Sequence, residues 1–158
     1  MNRRGRRLPC LLEGNEVLKI RIKFLSAAAK VPTRAHDGDA GWDLYSAENV
    51  DISPDETRVV ATGIAVAIPC GWYGQIKVRS SHGRSGVIVT AGVIDSSYRG
   101  GIGVAMVNFS HDPLRIKAGD RIAQIVFLPV PNVRWKVVKK NLPGTSRNGN
   151  GWGSTGNR

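Results

Sequence analysis

No acidic residue follows Asp120 in this 158-residue chain, and only 12 Asp and Glu stand against 23 Lys and Arg. Arg121, Arg134, Lys136, Lys139, Lys140, Arg147 and Arg158 are left unbalanced, and the N-terminus adds Arg3, Arg4, Arg6 and Arg7. A formal net charge of +11 favours anionic partners: nucleic acid, an anionic membrane or phosphorylated small molecules. A solvated basic surface with two basic ends accounts for the charge equally well. Cysteine is scarce too. Cys10 and Cys70 form no C-x-x-C pair, which excludes a disulfide scaffold and a thiol-redox or zinc motif and fits a reducing compartment. No apolar run approaches the roughly 18 residues of a membrane-spanning helix, and residues 8–12 are too short for a signal-peptide core. The expectation is a soluble protein with no membrane contact, cytoplasmic, or nuclear in a eukaryotic or viral host. Aromatics make up only 6%, while Gly 19 and Pro 8 together take roughly one residue in six. That is rich in turns yet short of the roughly 25–30% of low-complexity disorder. With 41% hydrophobic residues there is material for one core. A helical bundle or coiled coil is a poor fit, and a single all-β domain is a good one.

The order of segments supports this. Residues 1–16 form a basic tail without periodicity. Strict alternation then begins: Leu18, Ile20, Ile22 and Phe24 interleave with Lys19, Arg21 and Lys23, giving one apolar and one basic strand face. Further β-prone runs lie at 58–68, 74–78, 87–90, 102–108, 114–117, 122–130 and 133–138, separated by Gly-, Pro- and Asp-containing turns. Many short strands at such spacing predict a sandwich, jelly roll or barrel over residues 17–142. Only 27–30 hints at a helix, and Pro32 ends it. Residues 143–158 form a Gly-rich arm.

Four segments carry residues a plain β-sandwich does not need. His36 to Leu44 holds Asp37, Asp39 and Asp43, which could meet a hard cation directly or through its waters; an acidic turn explains them as well. Arg79-Ser80-Ser81, with Gly83 and Gly86 behind, suits phosphate oxygens: a charged fork, hydroxyl donors and open backbone N–H groups. The Walker pattern is absent, and a Ser-rich basic turn reads the segment equally well. Ala91 to Gly103 reads as a hairpin. Its arms carry Gly92 and Gly103, where another molecule could approach the backbone. Asp95 follows Val93-Ile94, where desolvation would help it act as a base, or it caps its own turn. The last, Arg147 to Gly156, reads as a flexible linker, yet it sets a cation, the Trp152 ring, Ser154 and Thr155 in a Gly frame. A mobile flap over a nucleotide needs that combination.

Together these segments resemble the trimeric-type dUTP pyrophosphatase (dUTPase) family. Five motifs stand in family order: Ala40-Gly41-Trp42-Asp43-Leu44, Arg79-Ser80-Ser81, Ala91 to Asp95 continuing through Tyr98-Arg99-Gly100, Gly119 to Gln124, and Arg147 to Gly156. The resemblance implies a jelly-roll-like subunit, a homotrimer with shared active sites, and hydrolysis of dUTP to dUMP and pyrophosphate with Mg2+ on the triphosphate. This would keep uracil out of DNA and supply dUMP for thymidylate synthesis. It makes Asp95 the general base for water attack on the α-phosphorus. Tyr98 would stack on deoxyribose, and the backbone of Gly92, Val93, Ile94 and Gly103 would read uracil. Arg79, Ser80, Ser81 and Gln124 would hold the α- and β-phosphates, and Arg147, Ser154 and Thr155 the γ-phosphate. Trp152 and Gly153 would cover the base from the arm, and Asp43 would orient Mg2+-bound waters. Two positions depart from the family pattern: Trp152 where Phe is usual, and Ser81 where many members carry Gly, with Val78 rather than Pro before the Arg.

A dCTP deaminase shares the implied fold and phosphate site, but its catalytic Glu would align with Ala105, which cannot shuttle protons. A catalytically silent binding module, touching nucleic acid weakly through the basic ends, is the alternative from another class.

Overall fold

The computed structural model describes residues 17–149, so Cys10 and the arginines of the N-terminal tail lie outside it, as do Trp152, Gly153, Ser154 and Thr155 of the arm. Among the described residues the chain folds as β1 (Arg21–Phe24), β2 (Trp42–Tyr45), β3 (Val50–Ile52), β4 (Thr57–Ala61), β5 (Ile64–Ala67) and β6 (Trp72–Lys77). These are followed by α1 (Ser80–Arg84), β7 (Val87–Val89), β8 (Val93–Ile94), β9 (Gly103–Asn108), β10 (Leu114–Ile116) and β11 (Arg121–Pro129). All strand pairings are antiparallel. The strands group as β2-β11-β6-β8, β4-β9-β7, β1-β5 and β3-β10. Four small sheets wrapped around one interior make the jelly-roll-like all-β subunit that the turn spacing predicts. No helix among the described residues is long and apolar enough to cross a membrane.

Alternation fills the interior. Leu44, Ile52, Val60, Ile64, Ile76, Val87, Val104, Met106, Ile116, Ile122 and Ile125 are buried and form one cluster fed from nearly every strand. The buried hydrophobics are entirely aliphatic, which is how a chain with 6% aromatics still builds a close-packed core. β11 is the spine. It pairs with β2 on one side and β6 on the other, placing Gln124 opposite both Asp43 and Lys77.

Several elements differ from their sequence-level expectations. The run 58–68 is two strands, β4 and β5, broken at Gly63 with φ +68, where an added Cβ would stand 2.9 Å from that of Ala47. Of the alternating segment 18–24 only Arg21–Phe24 is strand, paired with β5, and its apolar side is not covered: Ile22 is 36% and Phe24 51% exposed. In place of a helix at 27–30 there is a turn over residues 26–29, closed by Ala29 N–H donating to the Ser26 carbonyl, and the only described helix is α1. Residues 133–138 form no strand, and Trp135 and Val137 are each 94% exposed. The alternation supplies a strand face but does not by itself supply a pairing partner. β11 is already flanked on both sides, and Pro131 interrupts the ladder.

Candidate active site

Register brings three of the motifs to one place. On β2 Leu44 points into the core and Asp43 away from it, and Asp43 lies opposite Gln124 of β11. One Asp43 carboxylate oxygen accepts from Arg79 Nε at 3.0 Å and the other from Arg121 Nη1 at 3.2 Å. Arg79 Nη1 also donates to the Arg121 carbonyl at 3.4 Å. Gln124 Nε2 donates to the Val78 carbonyl at 3.2 Å, while its side chain lies over Gly41, where any Cβ would collide with it. Asp43, Arg79, Ser80, Arg121 and Gln124 thereby line a polar cleft of about 390 Å³, together with Asp39, Ala40 and Gly41. Two guanidiniums braced by one carboxylate leave further N–H groups for phosphate oxygens.

The third motif is a hairpin only at its base. β7 pairs with β9, and Thr90 N–H donates to the Ala105 carbonyl at 3.0 Å; beyond Ala91 the arms part. β8 crosses to pair with β6, while β9 continues alongside β4. Parting of the arms opens a slot of about 260 Å³ lined by Ala91, Gly92, Val93, Ile94, Asp95, Tyr98, Gly101 and Gly103. Its tip is fixed by Tyr98 N–H donating to the Asp95 carbonyl and Tyr98 Oη donating to the Gly101 carbonyl, both at 3.1 Å. Both arm glycines admit the protein's own strands. A Cβ on Gly92 would sit 2.9 Å from the Ile76 carbonyl oxygen, and one on Gly103 would sit 2.6 Å from Val59 Cγ1. Asp95 is exposed, so the desolvation anticipated from its apolar neighbours is not present in the subunit by itself.

Other candidate residues lie elsewhere. Ser81 is exposed on α1 and lines neither cleft, its carbonyl accepting from Ser85. Arg147 is exposed on a turn in which the Thr145 and Asn148 side chains each accept from the other residue's backbone N–H at 2.9 Å. Ala105 faces Val59 across the β4–β9 pair. Sequence reasoning gave no role to Arg121 or His82, and named Asp39 only as one of three carboxylates that could meet a cation. Arg121 stood in the quoted Gly119–Gln124 motif, and the ion pair to Asp43 is what gives it a place. His82, partly buried on α1, has its pKa lowered from 6.5, first by burial and then by Arg79; the Ile122 backbone and Asp120 oppose this.

The donor set bears on Mg2+. No group of three or more His, Cys, Asp or Glu able to hold a metal occurs among the described residues. Both Asp43 oxygens are engaged by arginine, leaving lone pairs for water alone. That fits an ion which arrives with a triphosphate and keeps its waters, as Mg2+ prefers, and does not fit a protein-caged metal.

A family model described as dUTPase matches residues 27–156. A deoxyuridine 5'-triphosphate nucleotidohydrolase of Wolbachia pipientis is 40% identical over 148 residues, 88% of this chain and 96% of that one. Among solved structures, a Staphylococcus bacteriophage 80alpha dUTPase with dUpNHpp is similar at TM-score 0.81 and 30% identity, covering 87% of this chain and 98% of that one. A dUTPase from phage phi11 of S. aureus, described with a structural Mg(II) ion, gives TM-score 0.72 at 28% identity over 78% of this chain and 98% of its own. With the family model spanning most of the fold and carrying the residues of both clefts, the chain belongs to the dUTPase family.

Proposed function

We propose that the protein hydrolyses dUTP to dUMP and pyrophosphate, with the two clefts taking the two halves of the nucleotide. The observation that carries this is the division itself: an arginine-lined polar cleft and a glycine-lined slot with Asp95 in its wall share no residue. The slot suits a flat base read by backbone groups, with Tyr98 against the sugar. A base with the wrong donor–acceptor edge leaves buried groups unpaired, which discriminates strongly. Asp95 takes the proton of the attacking water, a contribution of about 10²–10⁴-fold. Arg79, Ser80 and Gln124, which line the polar cleft, hold the α- and β-phosphates, and Ser81 on α1 joins them only once the nucleotide is bound.

When bound, Mg2+ neutralises charge on the triphosphate; Asp43 orients its waters. Most of the rate comes from positioning and charge. Arg147 together with Trp152, Gly153, Ser154 and Thr155 acts as a lid over the γ-phosphate and base. Residues 1–16, 17–142 and 143–158 then divide as tail, catalytic domain and closing arm. We assign a homotrimer whose sites lie between subunits. The uncovered apolar faces of β1 and of residues 133–138 support this, as does Asp95 exposed beside a slot that holds none of the phosphate-cleft residues.

The test is a substrate panel of the four dNTPs, dUTP and UTP with Mg2+. Pyrophosphate and dUMP from dUTP alone are expected. Release of orthophosphate, or equal turnover of dUTP and UTP, contradicts the reading. A second reading adds weak contact with nucleic acid, since Arg134, Lys136, Lys139 and Lys140 are all exposed around Trp135. Absence of duplex-DNA binding at moderate salt reduces these residues to solvated surface.

A further inference from the structure

Arg121 lines the polar cleft, yet the proposed reaction gives it no task, and an irregularity in β11 is what puts it there. Gln124 and Ala123 lie opposite Asp43 and Leu44 in regular register, but the residue opposite Tyr45 is Arg121 rather than Ile122. Simple alternation back from Gln124 would turn Ile122 towards the cleft and Arg121 towards the core. The bulge instead buries Ile122 and Ala123 side by side, both at 0% exposure. Arg121 is thereby re-aimed onto the face that carries Asp43 and Gln124.

From that face Arg121 meets Arg79 twice. Its Nη1 donates to one Asp43 oxygen at 3.2 Å, while Arg79 Nε donates to the other at 3.0 Å. The Arg121 carbonyl accepts from Arg79 Nη1 at 3.4 Å. An arginine facing a lone carboxylate commonly takes both oxygens in a two-point fork. Arg79 is denied that arrangement, because Arg121 occupies the second oxygen. Only 13% of the Asp43 side chain is exposed, so water competes little for either oxygen.

We propose that Arg121 is a positioning residue for Arg79. By holding the second Asp43 oxygen and accepting from Nη1, it limits Arg79 to one bond with the carboxylate. The rest of the Arg79 fork is then free for phosphate oxygens. This rests on reading the polar cleft as the triphosphate site. Without the Arg121 side chain, Arg79 closes on both Asp43 oxygens and spends a second donor on its neighbour. The task requires a donor to Asp43 and no positive charge, which separates it from direct contact between Arg121 and the nucleotide.

The experiment measures Kd for dUpNHpp with Mg2+, and for deoxyuridine, in the native protein, Arg121→Met, Arg121→Gln and Arg121→Lys. Arg121→Met should weaken dUpNHpp by about 10- to 100-fold, the range of one hydrogen bond to a charged group. Deoxyuridine has no phosphate and should bind all four proteins alike, because slot and cleft share no lining residue. Gln and Lys each restore a donor to Asp43, so both variants should recover most of the lost affinity. Recovery by Lys alone makes Arg121 a charge for the nucleotide and overturns the inference. Equal loss of both ligands, or no loss in Arg121→Met, overturns it too. A crystal structure of Arg121→Met needs no nucleotide. Arg79 turned onto both Asp43 oxygens supports the inference, and Arg79 unmoved overturns it. Failure of the native protein to hydrolyse dUTP overturns the reading of the cleft instead.

Discussion

Asp95 and Gly92 stand a few residues apart in one slot and owe their placement to different physics. Asp95 is exposed at the end of β8, so water exclusion around it must come from the bound nucleotide and whatever covers the slot. Asp95→Asn keeps the shape and removes the base. Turnover is expected to fall by about 10²–10⁴-fold with the melting temperature unchanged, as steady-state kinetics and calorimetry would read. Gly92 was legible as a place where the backbone is approached closely, but a single sequence does not name the approaching partner. It is β6, through Ile76. Gly92→Ala must displace β8 from β6 and is expected to cost about 1–3 kcal/mol of stability and to raise KM for dUTP. Thermal unfolding and kinetics of the same variant check both. Arg121 shows the converse limit: its pairing with Asp43 spans 78 positions and exists only once β2 and β11 are in register.

Elements were legible in proportion to how local their causes are. Val87–Val89, Gly103–Asn108, Leu114–Ile116 and Arg121–Pro129 follow alternation and turn residues closely, because side-chain period and turn chemistry act within a few residues. Residues 80–84 gave no helix signal, since Ser, His and Gly are poor helix formers. The turn is held from outside, by Arg79 on Asp43 and by Gln124 on Val78. Residues 133–138 have the pattern of a strand, yet pattern says which face is apolar and not which edge will pair. The arm beyond them is separable from the core, because the buried cluster ends at Ile125. A chain ending at Pro143 is expected to lose about 10²-fold or more in turnover, since closure supplies both positioning and water exclusion. Its thermal unfolding should match the full chain. An unchanged rate removes the lid from the account. Trp152 fluorescence should also change when a non-hydrolysable dUTP analogue binds.

At the scale of the molecule, the chemistry is divided between two clefts that mixed subunits can bring together. Arg79→Ala disables the polar cleft and Asp95→Asn disables the slot, so each variant alone should be nearly inactive. Subunits of the two variants are mixed in equal amounts, dissociated and reassembled, and pyrophosphate release from dUTP is then measured. If each site takes its arginine and its aspartate from different chains, random assembly restores about one quarter of the sites. Recovery to about that fraction of the native rate is expected. No recovery, with mixed trimers demonstrably present, means that both residues serve the same site from one chain and contradicts the division of each site between chains.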